Sequence, residues 1–184
     1  MRHAVEMTRS SEPSLDTVQR CLAEALHRLY DTDADLISLD VNERSLTHRL
    51  ALYLTPLFPG WDVDCEYNRD DAESKRIDEV EDDLRKYEER EVSSRDTRGR
   101  TVYPDIIVHR RRTHENLVVV EVKKSSSRIP DKLDRLKVGA LCVMERYRYR
   151  YGFLIRLAVG DGATVPSPEM VFPKNEDVPL RAAH

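Results

Sequence analysis

The sequence predicts an α/β domain: a mixed, mostly antiparallel sheet of about four strands flanked by helices, with a charged helical insertion. Three observations carry this expectation. Helix-period apolar patterns run through the first 57 residues and return near residue 135. Two central runs, 101–110 and 116–123, are apolar on both strand faces, as buried strands are. A highly charged stretch over 70–100 separates those runs from an earlier strand.

In chain order, residues 1–13 are polar and expected to fray. Ser14 is a good N-cap for a helix over 15–30, with Leu15, Val18, Leu22, Ala25, Leu26 and Leu29 on one face. The acidic run 31–35 reads as a connection. A second helix follows Asn42, with Leu46, Leu50, Tyr53, Leu54 and Leu57 on one side and Pro56 near its end. Residues 61–67 alternate as a strand. In 70–92, Ile77, Val80, Leu84 and Tyr87 form a narrow apolar seam. It suits either an exposed helix lying on its own domain or a helix pairing with a second copy, a possible homodimer contact. The two central strands come next. A third helix begins near Pro130, with Leu133, Leu136, Ala140, Val143, Met144 and Tyr147 as its buried face. A strand over 149–159 closes a domain spanning 14–165, and 166–184 reads as a tail with a Gly160–Gly162 turn before it.

The chain has 184 residues, 35% of them charged and 40% hydrophobic, which suits one domain. It has no apolar run long enough to span a membrane and no secretory leader pattern. Its three cysteines are too few and too scattered for a disulfide framework or a zinc knuckle. A reducing cytoplasm is the expected compartment. The net charge of −4 is the average of opposed blocks: residues 62–96 carry a net −8 and residues 97–156 a net +9. The basic block is a candidate phosphate-binding face.

Ionisable residues inside the apolar strands are costly unless compensated. Tyr103, Asp105, Ile107 and His109 share one face of the first central strand, and Leu117, Val119, Glu121 and Lys123 share one of the second. A hairpin symmetric about Thr113 opposes Asp105 and Glu121, with Cβ atoms roughly 5 Å apart. Two carboxylates this close repel, and one is protonated unless a cation lies between them. A divalent ion resolves the conflict, and an all-oxygen site with open positions suits Mg²⁺ or Mn²⁺ better than zinc. Lys123, on the same face, is placed to polarise a water or a phosphate oxygen.

Pro104-Asp105, then 15 residues, then Glu121-Val122-Lys123, resembles the PD-(D/E)xK signature of the restriction-endonuclease-like nuclease superfamily. The order of elements over roughly residues 40–160 is similar to that fold. The resemblance implies a metal-dependent nuclease, a phosphodiester hydrolase acting on DNA rather than RNA. It implies that Asp105 and Glu121 ligate the metal, that the Val122 backbone carbonyl assists, and that Lys123 serves the attacking water. Glu43 stands where many members carry an additional, water-mediated ligand; a carboxylate in a first helical turn also favours the helix dipole whatever the function. No Gln-x-x-x-Tyr element of the exonuclease branch occurs in the third helix.

His48 and Glu66 are further candidates for the same site. Arg110, Arg111, Arg112, Lys124, Arg128, Lys132, Arg135 and Lys137 read either as phosphate contacts or as a solvated surface. His109 and His114 beside the arginine run lack a third metal ligand. In 146–151 arginines alternate with tyrosines, suiting either stacking on bases or packing of Tyr against a helix. No phosphate-cradling Gly loop and no nucleophilic Ser or Cys arrangement is present. Two other readings stay open: a catalytically silent nucleic-acid-binding module of the same fold, and a dimerising interaction subunit of a larger nuclease assembly.

Overall fold

The computed structural model describes residues 12–66, 69–70, 73–74 and 104–173. Helix α1 (Leu15–Thr32) starts where Ser14 accepts a hydrogen bond from the Thr17 N–H at 3.3 Å, which satisfies one of the unpaired donors of a first turn. It buries Val18, Leu22, Ala25, Leu26 and Leu29 as their spacing predicts. Helix α3 (Glu43–Leu54) is capped by Asn42, whose side chain accepts from the Ser45 N–H at 2.8 Å, and it gives way to a 3₁₀ turn at Pro56.

The sheet has five strands rather than four: β1 (Asp62–Cys65), β4 (Ile106–His109), β5 (Asn116–Lys124), β6 (Tyr151–Leu157) and β7 (Glu169–Phe172), hydrogen-bonded in that order. β5 and β6 are parallel, joined by the crossover helix α4 (Lys132–Val143), and the other three neighbours are antiparallel. One face packs on α1 and α3 through Val118, Val120 and Val122. The other packs on α4 through Ile107, Val119, Val138, Leu141 and Cys142. β5 is thus buried on both sides, which is why its sequence is apolar without alternation. Among the described residues no helix is long and apolar enough to cross a membrane.

Several expectations are corrected. The acidic run 31–35 is not a connection: α1 continues to Thr32 and α2 (Ala34–Ser38) follows at once. Asp33 between them is buried, accepting hydrogen bonds from Arg49 Nε at 2.8 Å and the Tyr53 hydroxyl at 2.7 Å. At the start of the charged insertion Arg69–Asp70 (β2) and Glu73–Ser74 (β3) pair as two short antiparallel strands rather than as helix. The seam residues Ile77, Val80, Leu84 and Tyr87 lie outside the described residues. β7 forms in the stretch read as a tail, because the apolar Met170 and Val171 can pair with the otherwise open edge of β6. On α4, Val143 is exposed and Val138, Leu141 and Cys142 are buried, a face rotated from the expected one. Residues 146–150 precede β6 rather than belonging to it, with Arg148 at φ 43°. Tyr147 and Tyr149 are buried under α4, so the arginine–tyrosine alternation serves packing.

Gly152 on β6 lies under α4, where an added methyl would meet Val138 Cγ1 and Cys142 Sγ well inside van der Waals contact. Gly152→Ala is expected to destabilise the fold by about 1–3 kcal/mol, read as a lower Tm. Burial alone would push the Asp33 carboxyl up, but the Arg49 and Tyr53 hydrogen bonds and the guanidinium charge outweigh it and hold it below the usual range. A depressed acid stabilises above its unfolded pKa of about 4 and loses that contribution as the pH falls. Asp33→Asn is therefore expected to lower Tm at pH 7, with the gap from wild type narrowing toward pH 3.

Candidate functional site

The site is built where β4 parts from β5. The register expected from symmetry about Thr113 holds for Ile106, Ile107 and Val108, opposite Val120, Val119 and Val118; a bulge then moves His109 opposite Asn116. Continued the other way, it sets Asp105 against Glu121 and Pro104 against Val122. The Asp105 N–H donates to Glu121 Oε1 at 3.3 Å, and Asp105 Oδ2 accepts from the Val122 N–H at 2.8 Å. Two residues on, the Lys124 N–H donates to Glu43 Oε2 at 2.9 Å. Two side-chain carboxylates thus replace the backbone acceptors that β5 would find in a longer β4. A strand residue turns its N–H and C=O to the same neighbour, so the Val122 carbonyl faces this gap, and Pro104 has no N–H to offer it.

Glu43 reaches β5 because the loop before α3 is braced. Lys124 Nζ donates to the carbonyls of Asp40 at 3.2 Å and Val41 at 2.8 Å and pairs with the Asp40 carboxylate at 2.7 Å. Lys124 is thereby a strut between β5 and the loop before α3.

Glu121 is 1% exposed. Burial pushes its carboxyl well above the ordinary range, and the Asp105 charge pushes it further against the opposing pull of Lys137. Burial also raises Asp105, where Lys137 and the Val122 N–H pull down and Glu43 and Asp134 push up. The Lys137 ammonium pairs with Glu121 Oε2. Burial disfavours its charge, but Glu121 and Asp105 outweigh that and hold it above its ordinary value. Lys123 shares the Glu121 face as expected, yet its Nζ binds Asp134 Oδ2 at 2.8 Å. Asp134 and Lys137, three apart on one face of α4, meet Lys123 and Glu121 of β5 in adjacent ion pairs. Reading the sequence gave Lys137 a phosphate-contact role and Asp134 none. The pairing signal was present, opposite charges at i and i+3 on a helix facing a Glu-x-Lys strand, but it becomes legible only once α4 is placed on β5.

Beside Asp105 opens a cleft of about 430 Å³. Glu43, Arg44, Thr47 and His48 line it from α3, and Cys65 and Glu66 from the end of β1. His48 and Glu66, two further candidates, are therefore at the same cleft as Glu43 and Asp105. Glu66 has a left-handed backbone, φ 48°, uncommon for a residue with a side chain. Its N–H donates to the Asp105 carbonyl at 3.2 Å and its carboxylate pairs with Arg44 at 2.8 Å. The Cys65 thiol registers the local field: burial, then the charges of Asp105, Asp64 and Glu66, push it up to about 11.

Part of the basic block is engaged in ion pairs within the molecule. Arg110 pairs with Glu115 and stacks on Trp61, 4.5 Å from the ring centroid. Arg111 pairs with Asp64, which also holds His109 at 2.9 Å. Arg135 pairs with Glu169 and Asp131. Arg112, at φ 62°, and Arg128 and Lys132 are exposed. Among the described residues no three His, Cys, Asp or Glu side chains form a metal-binding group. What the gap offers is two carboxylates, Asp105 and Glu121, and the Val122 carbonyl. Mg²⁺ keeps several waters and is commonly held by one or two carboxylates, so the donor set is chemically suited to it.

Asp105→Asn keeps an acceptor for the Val122 N–H while removing the repulsion of Asp105 with Glu121 and Glu43. It is expected to stabilise the metal-free protein by about 1 kcal/mol, a rise in Tm of roughly 2–4 °C by thermal denaturation in EDTA. An unchanged or lower Tm would mean that the carboxylates do not strain one another. Compared with protein families, curated proteins and solved structures, the chain matches none.

Proposed function

We propose that the chain is a Mg²⁺- or Mn²⁺-dependent nuclease of the restriction-endonuclease-like kind, hydrolysing phosphodiester bonds in DNA. The observation that carries the reading is the carboxylate of Asp105 held on the open edge of β5 against the buried Glu121, beside a cleft walled by Glu43. Burying two like charges together is costly, and a fold that has no use for a cation gains nothing by it. Asp105, Glu121 and the Val122 carbonyl would hold the ion, with Glu43 acting through a water. The bound ion would supply activation of the attacking water and neutralisation of charge on the scissile phosphate. Arg44, with His48 beside it as a hydrogen-bonding side chain, would line the cleft on the side suited to orienting the phosphate diester. Lys123 takes part in this reading only by exchanging Asp134 for a water or a phosphate oxygen, where its ammonium would stabilise developing charge.

One observation favours a second reading, the catalytically silent DNA-binding module: the Lys137 ammonium already answers the charge of Glu121 without any metal. Incubation with plasmid, linear duplex and single-stranded DNA in Mg²⁺, Mn²⁺ or EDTA separates the two. The nuclease reading expects cleavage that needs the ion and falls roughly 100-fold or more in Asp105→Ala and in Glu121→Ala. Cleavage that is undiminished in both variants, or missing alongside metal-independent, salt-sensitive DNA binding, removes it.

A further inference from the structure

Lys137 stands out in the whole molecule as a cation drawn into a place where the geometry calls for a different one. Its side chain is only 19% exposed, and Glu121, its partner, is buried. Among the described residues, the four acids around this gap, Glu43, Asp105, Glu121 and Asp134, outnumber the two ammonium groups, Lys123 and Lys137. Lys123 is engaged by Asp134, whereas Lys137 pairs with Glu121 and its charge also acts on Asp105. Lys137 is therefore the ammonium that compensates the Asp105–Glu121 pair, and it does so from α4, an element outside the hairpin that carries the two acids.

We propose that the Lys137 ammonium is a built-in stand-in for the divalent cation: it compensates the Asp105–Glu121 pair in the metal-free protein and must be displaced from Glu121 when the ion binds. This rests on the metal-site reading above and deepens it. A single positive charge on a flexible four-carbon stem can withdraw at the cost of one ion pair, whereas a buried Glu121 left unpaired beside Asp105 would threaten the fold. The protein would thus remain folded without metal, and metal affinity would be set by competition with its own side chain. The helix that carries the lysine is also the crossover between β5 and β6, so the exchange of cations is felt at the junction of two central strands.

Calorimetric titration of Mn²⁺ into the full chain tests this, using wild type, Lys137→Gln and Arg135→Gln, with Tm measured in EDTA and in Mn²⁺. Lys137→Gln is expected to be less stable than wild type in EDTA, to bind Mn²⁺ roughly tenfold more tightly, equivalent to about 1.4 kcal/mol, and to gain more Tm on adding the ion. Arg135→Gln, which alters a surface ion pair on the same helix, is expected to bind as wild type does. Mn²⁺ binding no tighter in Lys137→Gln than in wild type overturns the inference and leaves the metal site standing. Binding by none of the three overturns both. Should Lys137→Gln not fold, acetylation of wild type mapped by mass spectrometry decides: Lys137 is expected to react several-fold faster in Mn²⁺ than in EDTA, and an unchanged or slower rate overturns the inference.

Discussion

Two carboxylates are held against each other at the end of a buried strand, and the arrangement around them follows from that constraint. Glu121 sits on a strand that helices cover on both faces, so its charge has no water to rely on. Asp105 faces it across the point where β4 ends, and its oxygen is occupied by the Val122 N–H. Glu43 takes the next available N–H along the same edge. The acids are therefore secured by the backbone as well as by charge, which fixes their positions more firmly than flexible side chains on a surface could be fixed. α4 then has to bring Lys137 and Asp134 to the same strand, and its register on β5 is tied to those two ion pairs as well as to the apolar contacts of Val138 and Leu141.

The same economy governs the rest of the charge. Lys124 braces the loop before α3, Arg49 neutralises the buried Asp33, and Arg110 and Arg111 tie the β4–β5 hairpin to β1 and the residues before it. A basic block counted along the sequence suggests a broad phosphate-binding face. In three dimensions Lys123, Lys124 and Lys137 are drawn into ion pairs within the fold, while Arg111, Arg112, Arg128, Lys132, Arg146, Arg148, Arg150 and Arg156 stay exposed. Within the proposed function, Lys137 is the cation nearest the acids, and Arg44 on α3 adds a guanidinium at the cleft itself.

The parts of the site that could be read from the sequence were those that depend on local spacing. Asp105 and Glu121 could be matched because a short hairpin relates its two strands by a simple sum, and the bulge falls at His109, beyond the residues that matter. The first turn of α3 could be placed because Asn42 is a cap, and that placed Glu43. The partner of Lys123 could not be read in the same way. Its face was correct, but which of the charges around it would bind its ammonium depends on how α4 lies over the sheet. For the same reason the buried face of α4 was misjudged: its weak amphipathic pattern admits more than one rotation, and Tyr147 and Tyr149, just beyond its end, fill space that the sequence assigned to Val143.

The sequence by itself determined the main helices α1, α3 and α4, the strands β1, β4, β5 and β6, the pairing of β4 with β5, and that Asp105 and Glu121 lie opposite one another, because caps, apolar period and hairpin register act over a few residues. The tertiary structure alone decided that a fifth strand closes the edge of β6, that Asp33 is buried, and that Lys123, Lys124 and Lys137 are engaged in ion pairs within the fold. It also decided that Lys137 rather than Lys123 meets Glu121. Each of these depends on which distant element supplies a partner, and a charge or an open strand edge in a sequence does not say what it will face once the layers are packed.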